Sequence, residues 1–251
     1  MLSHLEIDDI LILDSIDSTN LELKRRRDEI EGTNVLLISN EQTAGRGQRG
    51  RSWASAKGLG LWMSLHLGRP LHLSNPLHLL SVYTGLILHR VLDPMISADL
   101  KLKWPNDLLI HAKKCGGILT EVQWLGASPT AAIIGIGINL RHRSEDFPVS
   151  LRESATSLAI EGMIEIDRDK IIENFLNNFF EHIDLLDSGE NLAVAWNASG
   201  FQVNCSVEWD TGDQMFEGKF LGINKEGDAL ISRNNRIENF KNGEIRLQKP
   251  V

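Results

Sequence analysis

Hydrophobic residues along the chain fall mostly in short runs divided by polar, turn-forming segments. Residues 10–13, Ile-Leu-Ile-Leu, read as a strand. The polar stretch 14–20 reads as a turn that runs into a helix over 21–27. Asp17 or Ser18 would cap that helix, since their oxygens can accept the free N–H groups of a first turn. Residues 35–39 and 59–67 are β-rich, and 77–92 is apolar enough for a buried helix stopped by Asp93-Pro94. Residues 100–104 alternate as a strand does and end at the turn Pro105-Asn106-Asp107. Residues 108–110 and 117–122 read as a hairpin around a basic turn at Lys113-Lys114. Residues 130–140 make a further strand, whose glycines permit close backbone approach.

The pattern then changes. Ile171, Ile172, Phe175, Leu176, Phe179 and Ile183 recur at helical spacing over 169–186, and a second short helix is expected over 191–199. From Phe201 the chain returns to short strands and turns: strands at 203–209, 215–223 and 229–232, with turns at 211–213 and 224–228. Such a stretch suits a small, strongly bent barrel. A boundary at Gly200 divides the chain into residues 1–199 and 200–251. No internal repeat or low-complexity segment interrupts either part.

Composition changes this picture little. Hydrophobic residues are 42% and charged residues 24% of the chain, a soluble globular balance. No run approaches the roughly 18 consecutive apolar residues of a membrane helix, and the first nine residues lack the basic start and apolar run of a signal peptide. Two cysteines, Cys115 and Cys205, do not suggest a disulfide framework. A cytosolic compartment is expected. The formal net charge of −8 argues against general nucleic-acid binding.

Against that acidic background one segment stands apart. Residues 42–53, Gln-Thr-Ala-Gly-Arg-Gly-Gln-Arg-Gly-Arg-Ser-Trp, interleave glycines with Arg46, Arg49 and Arg51. Glycine lets a chain turn sharply or approach a ligand closely, and arginine carries a fixed fork of donors for carboxylates and phosphates. The alternative is an exposed basic face, but such a face does not need the glycines. Arg25-Arg26-Arg27 is read as an exposed helix face. The spacing Gly45-x-Gly47-x-x-Gly50 matches the dinucleotide fingerprint literally, yet residues 51–58 run into a turn and a strand rather than a helix. There is no Walker loop, no His-Glu-x-x-His and no Gly-x-Ser-x-Gly elbow. Cys115, beside Lys114, is either a nucleophile activated by a cation or a small buried residue at a strand start.

Five motifs occur in order: Asp17-Ser18-Thr19-Asn20, the loop 42–53, Lys103-Trp104-Pro105-Asn106-Asp107, the segment 114–121 (Lys-Cys-Gly-Gly-Ile-Leu-Thr-Glu), and Gly135-Ile136-Gly137-Ile138-Asn139. Together they resemble the biotin–protein ligase (biotin–[acetyl-CoA-carboxylase] ligase) family, over the chain from about residue 10 to its end, the small barrel included. The resemblance implies an α+β fold: a mixed sheet packed with helices, of the class II aminoacyl-tRNA synthetase-like kind, followed by an SH3-like β-barrel. It also implies a two-step reaction. The carboxylate of biotin attacks the α-phosphorus of MgATP, giving biotinyl-5′-AMP and pyrophosphate. A lysine amine of a biotin carboxyl carrier domain then attacks the activated carbonyl and releases AMP. Bringing one anion to another requires preorganised cations.

By the same resemblance, Ser18, Thr19, Asn20 and Gln42 match positions that contact biotin, while Arg46, Gly47 and Gln48 match the loop that folds over biotin and the adenylate. Trp53 would stack on adenine, and Arg49 and Arg51 would meet phosphate. Asn106, Asp107 and Asn139 would serve the nucleotide end, with Asp107 also a Mg²⁺ ligand. Lys114 would bridge the biotin carboxylate and the α-phosphate, making Lys114 and Arg46 the expected catalytic pair. As structural alternatives, residues 18–20 would be a plain helix cap, Trp53 and Trp104 ordinary core, and Asp107 a turn residue. The motifs begin close to Met1 with no winged helix before them, so a ligase without a repressor's DNA-binding domain is expected. Gln48 stands where some family members carry arginine, which removes a cation from the loop and would loosen retention of the adenylate. No tightly bound cofactor is expected, and an exposed sheet edge leaves a homodimer open. Other readings are a lipoate ligase, an octanoyltransferase using Cys115, or a non-catalytic binder of biotin or nucleotide.

Overall fold

A computed structural model describes residues 6–68, 77–125 and 128–246 of the chain. The expected first strand forms as β1 (Asp9–Leu13), followed by helix α1 (Thr19–Arg25) and by β2 (Asn34–Ser39). Strand β3 (Gly60–Leu67), helix α2 (Leu77–Leu92) and strand β4 (Leu100–Lys103) come next. Then follow β5 (Asp107–Ile110), β6 (Lys113–Leu125) and β7 (Ser128–Asn139). All seven strands join one mixed sheet in the order β1-β2-β3-β7-β6-β5-β4, with β1 and β2 parallel and the other neighbours antiparallel.

Both faces of this sheet are covered, which explains why every position of β2 is buried. Successive side chains of a strand point to opposite faces. Leu36 and Ile38 join the main core with Tyr83, Leu86 and Ile87 of α2, whereas Val35 and Leu37 join Leu23 of α1 and Ile133 in a second cluster. Helix α3 (Arg168–Glu181) packs on α2, with the Tyr83 hydroxyl donating to the Phe179 carbonyl. Burying one such apolar side chain contributes about 1.5–3 kcal/mol, so the two clusters dominate the stability of this layer.

Helix α4 (Gly189–Ser199) ends at Gly200, where the backbone pairs with Leu102 beside β4. A second, antiparallel sheet follows: β8 (Cys205–Asp210), β9 (Met215–Ile223), β10 (Ala229–Arg233), β11 (Arg236–Phe240) and β12 (Glu244–Arg246), in the order β11-β10-β9-β8-β12. A register shift at Leu230/Ile231 marks a bulge between β9 and β10, the kind of irregularity that bends a strand. Trp209, Phe220, Ile231 and Ile245 fill its inner face and merge with the main core. The Trp104 indole donates to Gly227 O at 2.9 Å and lies 5.3 Å from the Trp209 ring.

Several local expectations change. The hairpin turn is His111-Ala112, with φ of 50° and 60°, so Lys113 and Lys114 belong to β6 and not to a turn. Positive φ at both central residues matches the right-handed twist of the flanking strands. Ser18 occupies the N-cap of α1, but its hydroxyl makes no capping bond; Asp17 instead accepts from Ser18 N at 2.7 Å and pairs with Arg25. The helix expected over 169–186 stops at Glu181 and continues as a tighter turn, Ile183–Leu186. Its start is fixed by Asp167, whose carboxylate accepts from Asp169 N and Lys170 N. Arg25 and Arg26 lie on the solvent side of α1, paired with Asp17 and Glu22.

Candidate functional site

A cavity of about 260 Å³ opens where the 42–53 loop folds over the paired strands β6 and β7. Its floor is glycine. Gly117 pairs with Gly137, and Leu119 with Gly135, so three bare positions lie on adjacent strands. The Trp53 indole lies on two of them. A Cβ on Gly137 would come 2.7 Å from Trp53 Nε1, and one on Gly117 would come 3.1 Å from its Cζ3. The indole nitrogen is buried and has no hydrogen-bond partner.

The loop closes on itself as a small hairpin. Gly47 N donates to Arg51 O at 2.7 Å and Trp53 N to Gly45 O at 2.8 Å. Its tip is a single tight turn, Gln48–Gly50, in which Arg49 takes a left-handed φ of 56°. No helix follows, so the dinucleotide reading is excluded by backbone geometry as well as by sequence. Arg51 reaches across to β12, where its Nη2 lies 2.6 Å from Glu244 Oε2, and Lys103 Nζ lies 3.4 Å from the other carboxylate oxygen. Burial would raise the Glu244 carboxyl, but the Arg51 hydrogen bond and the charges of Lys103 and Arg51 outweigh it and hold the carboxyl at about 2.

One end of the cavity is cationic and the other is neutral and polar. At the cationic end, Lys114 Nζ lies 2.6 Å from Asp107 Oδ1 and 5.1 Å from the centre of the Trp53 ring. The backbone of Lys114 is clamped by residues 154–156: Lys114 N donates to Ser154 O at 2.8 Å and Thr156 N to Lys114 O at 3.0 Å. Asn139 secures that clamp, with Nδ2 donating to Thr156 O at 2.9 Å, and Asn106 Nδ2 donates to Ile118 O at 2.6 Å. At the polar end, Gln42 Oε1 accepts from Thr19 N and Thr19 Oγ1 at 2.9 and 3.1 Å, and Gln42 Nε2 donates to Ser55 Oγ at 2.8 Å. Asn20 bonds to Glu121 and Ser64 behind it.

Of the residues expected from sequence, Thr19, Asn20, Gln42, Gly47, Gln48, Arg49, Arg51, Trp53, Asn106, Asp107, Lys114 and Asn139 all line this cavity. Ser18 is buried at the start of α1 and Arg46 is exposed on the loop; neither lines it. Cys115 is fully buried, its thiol donates to Leu108 O at 3.4 Å, and burial pushes it up to about 12. It is therefore no nucleophile at neutral pH. Glu244, Phe147 and Leu151 line the cavity without having been singled out. Nothing local in the sequence marks them, since each reaches the site through a distant segment. The glycines of residues 130–140, which permit close backbone approach, were the visible signal for the floor.

Residues 12–139, which hold every lining residue expected from sequence, match the biotin/lipoate A/B protein ligase family. The chain belongs to that family. Among relatives of this ligase, the bifunctional ligase/repressor BirA of Bacillus spizizenii is 35% identical over 219 residues, covering 86% of the chain and 66% of that relative's length. A biotin–[acetyl-CoA-carboxylase] ligase of Mycobacterium tuberculosis is 29% identical over 236 residues, covering 91% of the chain and 85% of its own length. The biotin protein ligase of Aquifex aeolicus, solved in complex with biotin and ATP, superposes with a TM-score of 0.81 at 28% identity, covering 97% of this ligase and 100% of that chain. The mixed sheet with packed helices and the C-terminal antiparallel sheet are those of the biotin protein ligases.

Proposed function

We propose that the chain activates biotin with ATP to biotinyl-5′-AMP and transfers the biotinyl group to a lysine of a biotin carboxyl carrier domain, releasing pyrophosphate and then AMP. The observation that carries this reading is the polarity of this cavity, with a neutral string of Thr19, Asn20 and Gln42 at one end and Lys114, Arg49 and Arg51 at the other. A small acid with a polar uncharged head and a carboxylate tail fits that gradient.

Lys114 is placed to neutralise the approach of the carboxylate to the α-phosphate, exchanging its contact with Asp107 for the incoming oxygens. Arg46, exposed on the loop, serves as the second cation if the loop folds further inward when ligand binds. The Trp53 indole, resting on bare glycine with its nitrogen unpartnered, offers a flat face for adenine. Closing the loop keeps water from the mixed anhydride until the acceptor amine arrives. Mg²⁺ enters with ATP and supplies further neutralisation of phosphate charge. Among the described residues no trio of His, Cys, Asp or Glu clusters to hold a metal by itself. One carboxylate, Asp107, which lines the cavity with its Oδ1 paired to Lys114 Nζ at 2.6 Å, fits an ion that is held mostly by phosphate and water.

The division at Gly200 into a catalytic unit and a C-terminal small barrel belongs to this reading and is supported by the two separate sheets. So does a cytosolic location: no helix among the described residues is long and apolar enough to cross a membrane. The edge strand β1, with Ile12 exposed, is where two copies would pair. Biotin-dependent ATP–pyrophosphate exchange, followed by AMP release on adding a carrier domain, tests the reaction. Exchange driven by lipoate and not by biotin would overturn it, as would acyl transfer without ATP.

A further inference from the structure

Behind the polar end of the cavity runs an unbroken hydrogen-bonded string that reaches well beyond any residue in contact with the cavity. Lys24 Nζ lies 2.6 Å from Glu121 Oε1. The other carboxylate oxygen accepts from Asn20 Nδ2 at 2.9 Å, and the same nitrogen donates to Leu119 O at 3.2 Å. Ser64 Oγ is 2.6 Å from both Asn20 Oδ1 and Thr19 Oγ1. Thr19 Oγ1 is in turn 3.1 Å from Gln42 Oε1. Ser64, Thr19 and Asn20 are all buried. Glu121 carries the charge: burial would raise its carboxyl, but Lys24 and Asn20, aided by Arg46, hold it down in the ionised form.

The donor and acceptor inventory sets the direction of this string. Ionised Glu121 and the Leu119 carbonyl only accept, so the Asn20 amide must turn its NH₂ toward them and its oxygen toward Ser64. Gln42 is fixed likewise, because its oxygen takes the Thr19 backbone N–H. The two hydroxyls of Ser64 and Thr19 then face three contacts with oxygen: Asn20 Oδ1, one another, and Gln42 Oε1. Two protons cannot fill three contacts. The string therefore presents surplus acceptors to the cavity and lacks donors. A ligand group with adjacent N–H donors, such as a cyclic urea, completes it.

We propose that Glu121, oriented by Lys24, is a positioning residue for ligand binding. It never reaches the cavity, but it fixes which face of the Asn20 amide the ligand meets. The proposal rests on the reading of biotin as the substrate. It makes a prediction that a merely stabilising ion pair does not. In Glu121→Gln, the Lys24 ammonium takes the new amide oxygen, because it can only donate. The new NH₂ then faces Asn20, whose own NH₂ must turn away, and the acceptor array is lost. In the double variant Lys24→Met/Glu121→Gln nothing claims that oxygen, so it can turn back to Asn20 and restore the array. Removing a second interaction should rescue the first loss.

The test is biotin-dependent ATP–pyrophosphate exchange with the wild type, Lys24→Met, Glu121→Gln and the double variant, reading the KM for biotin, the KM for ATP and kcat. Thermal unfolding monitors folding of each. Expected are a rise of about tenfold in the biotin KM for Glu121→Gln, an unchanged ATP KM, and recovery of most of that loss in the double variant. An unchanged biotin KM in Glu121→Gln, or a double variant no better than the single, would overturn the proposal. If Glu121→Gln does not fold, the double variant alone decides, since it must bind biotin nearly as the wild type does. Failure of both to fold would assign Glu121 a structural role only and overturn the proposal as well. A wild type showing no biotin-dependent exchange would sink the substrate reading instead.

Discussion

Gly135→Ala probes how tightly the polar end of the cavity is built. A Cβ at this position would overlap Asn20 Oδ1 and come within 3.0 Å of its Cγ and 3.1 Å of its Nδ2. The overlap places the amide oxygen on the order of 1 Å inside ordinary contact. Asn20 cannot retreat freely, because its nitrogen is held by Glu121 and Leu119 and its oxygen by Ser64. Overpacking of this kind costs about 1–3 kcal/mol, or roughly a five- to 150-fold change in an equilibrium constant. The expected result is a biotin KM raised within that range and an ATP KM unchanged, because Asn106, Asp107 and Asn139 lie at the other end of the cavity. Calorimetric titration with biotin measures the same loss directly. Gly85→Ala is the control, as its Cβ meets Ile118 Cδ1 at 3.4 Å and Leu102 Cδ2 at 3.5 Å, ordinary distances. Full biotin affinity in Gly135→Ala would refute the placement of Asn20 against the ligand.

Three further outcomes follow from the packing and the charges. Trp104 and Trp209 put both sheets into one core, so urea unfolding followed by fluorescence and by circular dichroism should give one coincident transition. Trp104→Ala should lower that midpoint by about 3–5 kcal/mol of stability without splitting it, and two separated transitions would contradict the shared core. A thiol reagent at neutral pH should modify Cys205, which is exposed, and reach buried Cys115 only after denaturation. Reaction of both in the native protein would count against the buried thiol. Glu244 is lowered from 4.5 to about 2 in the folded chain, so its contribution to stability is present above pH 4.5 and is lost as pH falls toward 2. Glu244→Gln should therefore flatten the acid limb of the stability curve in that window, and an unaltered limb would contradict the link between Arg51 and Glu244.

Much of this site was legible because its residues cluster in short motifs whose chemistry is local. A glycine–arginine loop announces a closing segment, and the glycines within residues 130–140 announce close backbone approach. Lys114 lines the cavity but was expected on the wrong element, since the two-residue turn at His111-Ala112 carries none of the usual turn residues and the polar lysine pair beside it was read as the turn. The Ser18 hydroxyl makes no capping bond, and the first N–H of α1, that of Thr19, is taken by Gln42 Oε1 from the distant loop. Strands β11 and β12 are short and polar, with Ile237 and other positions exposed, so they carry little hydrophobic pattern. Glu244 and Glu121 were invisible as site residues. One enters from the far end of the chain, and the other acts only through the hydrogen bonds of Asn20. Direction in a hydrogen-bonded string is a property of three-dimensional neighbours.

The Lys114 ammonium lies at the cationic end of the cavity, between Asp107 and the Trp53 ring, and the proposed activation of biotin rests on it. Lys114→Ala, compared with wild type in biotin-dependent ATP–pyrophosphate exchange and in calorimetric biotin binding, tests that dependence most directly. Removing one preorganised charge-stabilising group typically lowers kcat by about 10²–10³. The expected result is a loss of that size in kcat with a far smaller change in the biotin Kd. A variant that exchanges pyrophosphate at close to the wild-type rate, or that loses only biotin affinity, would contradict the assignment.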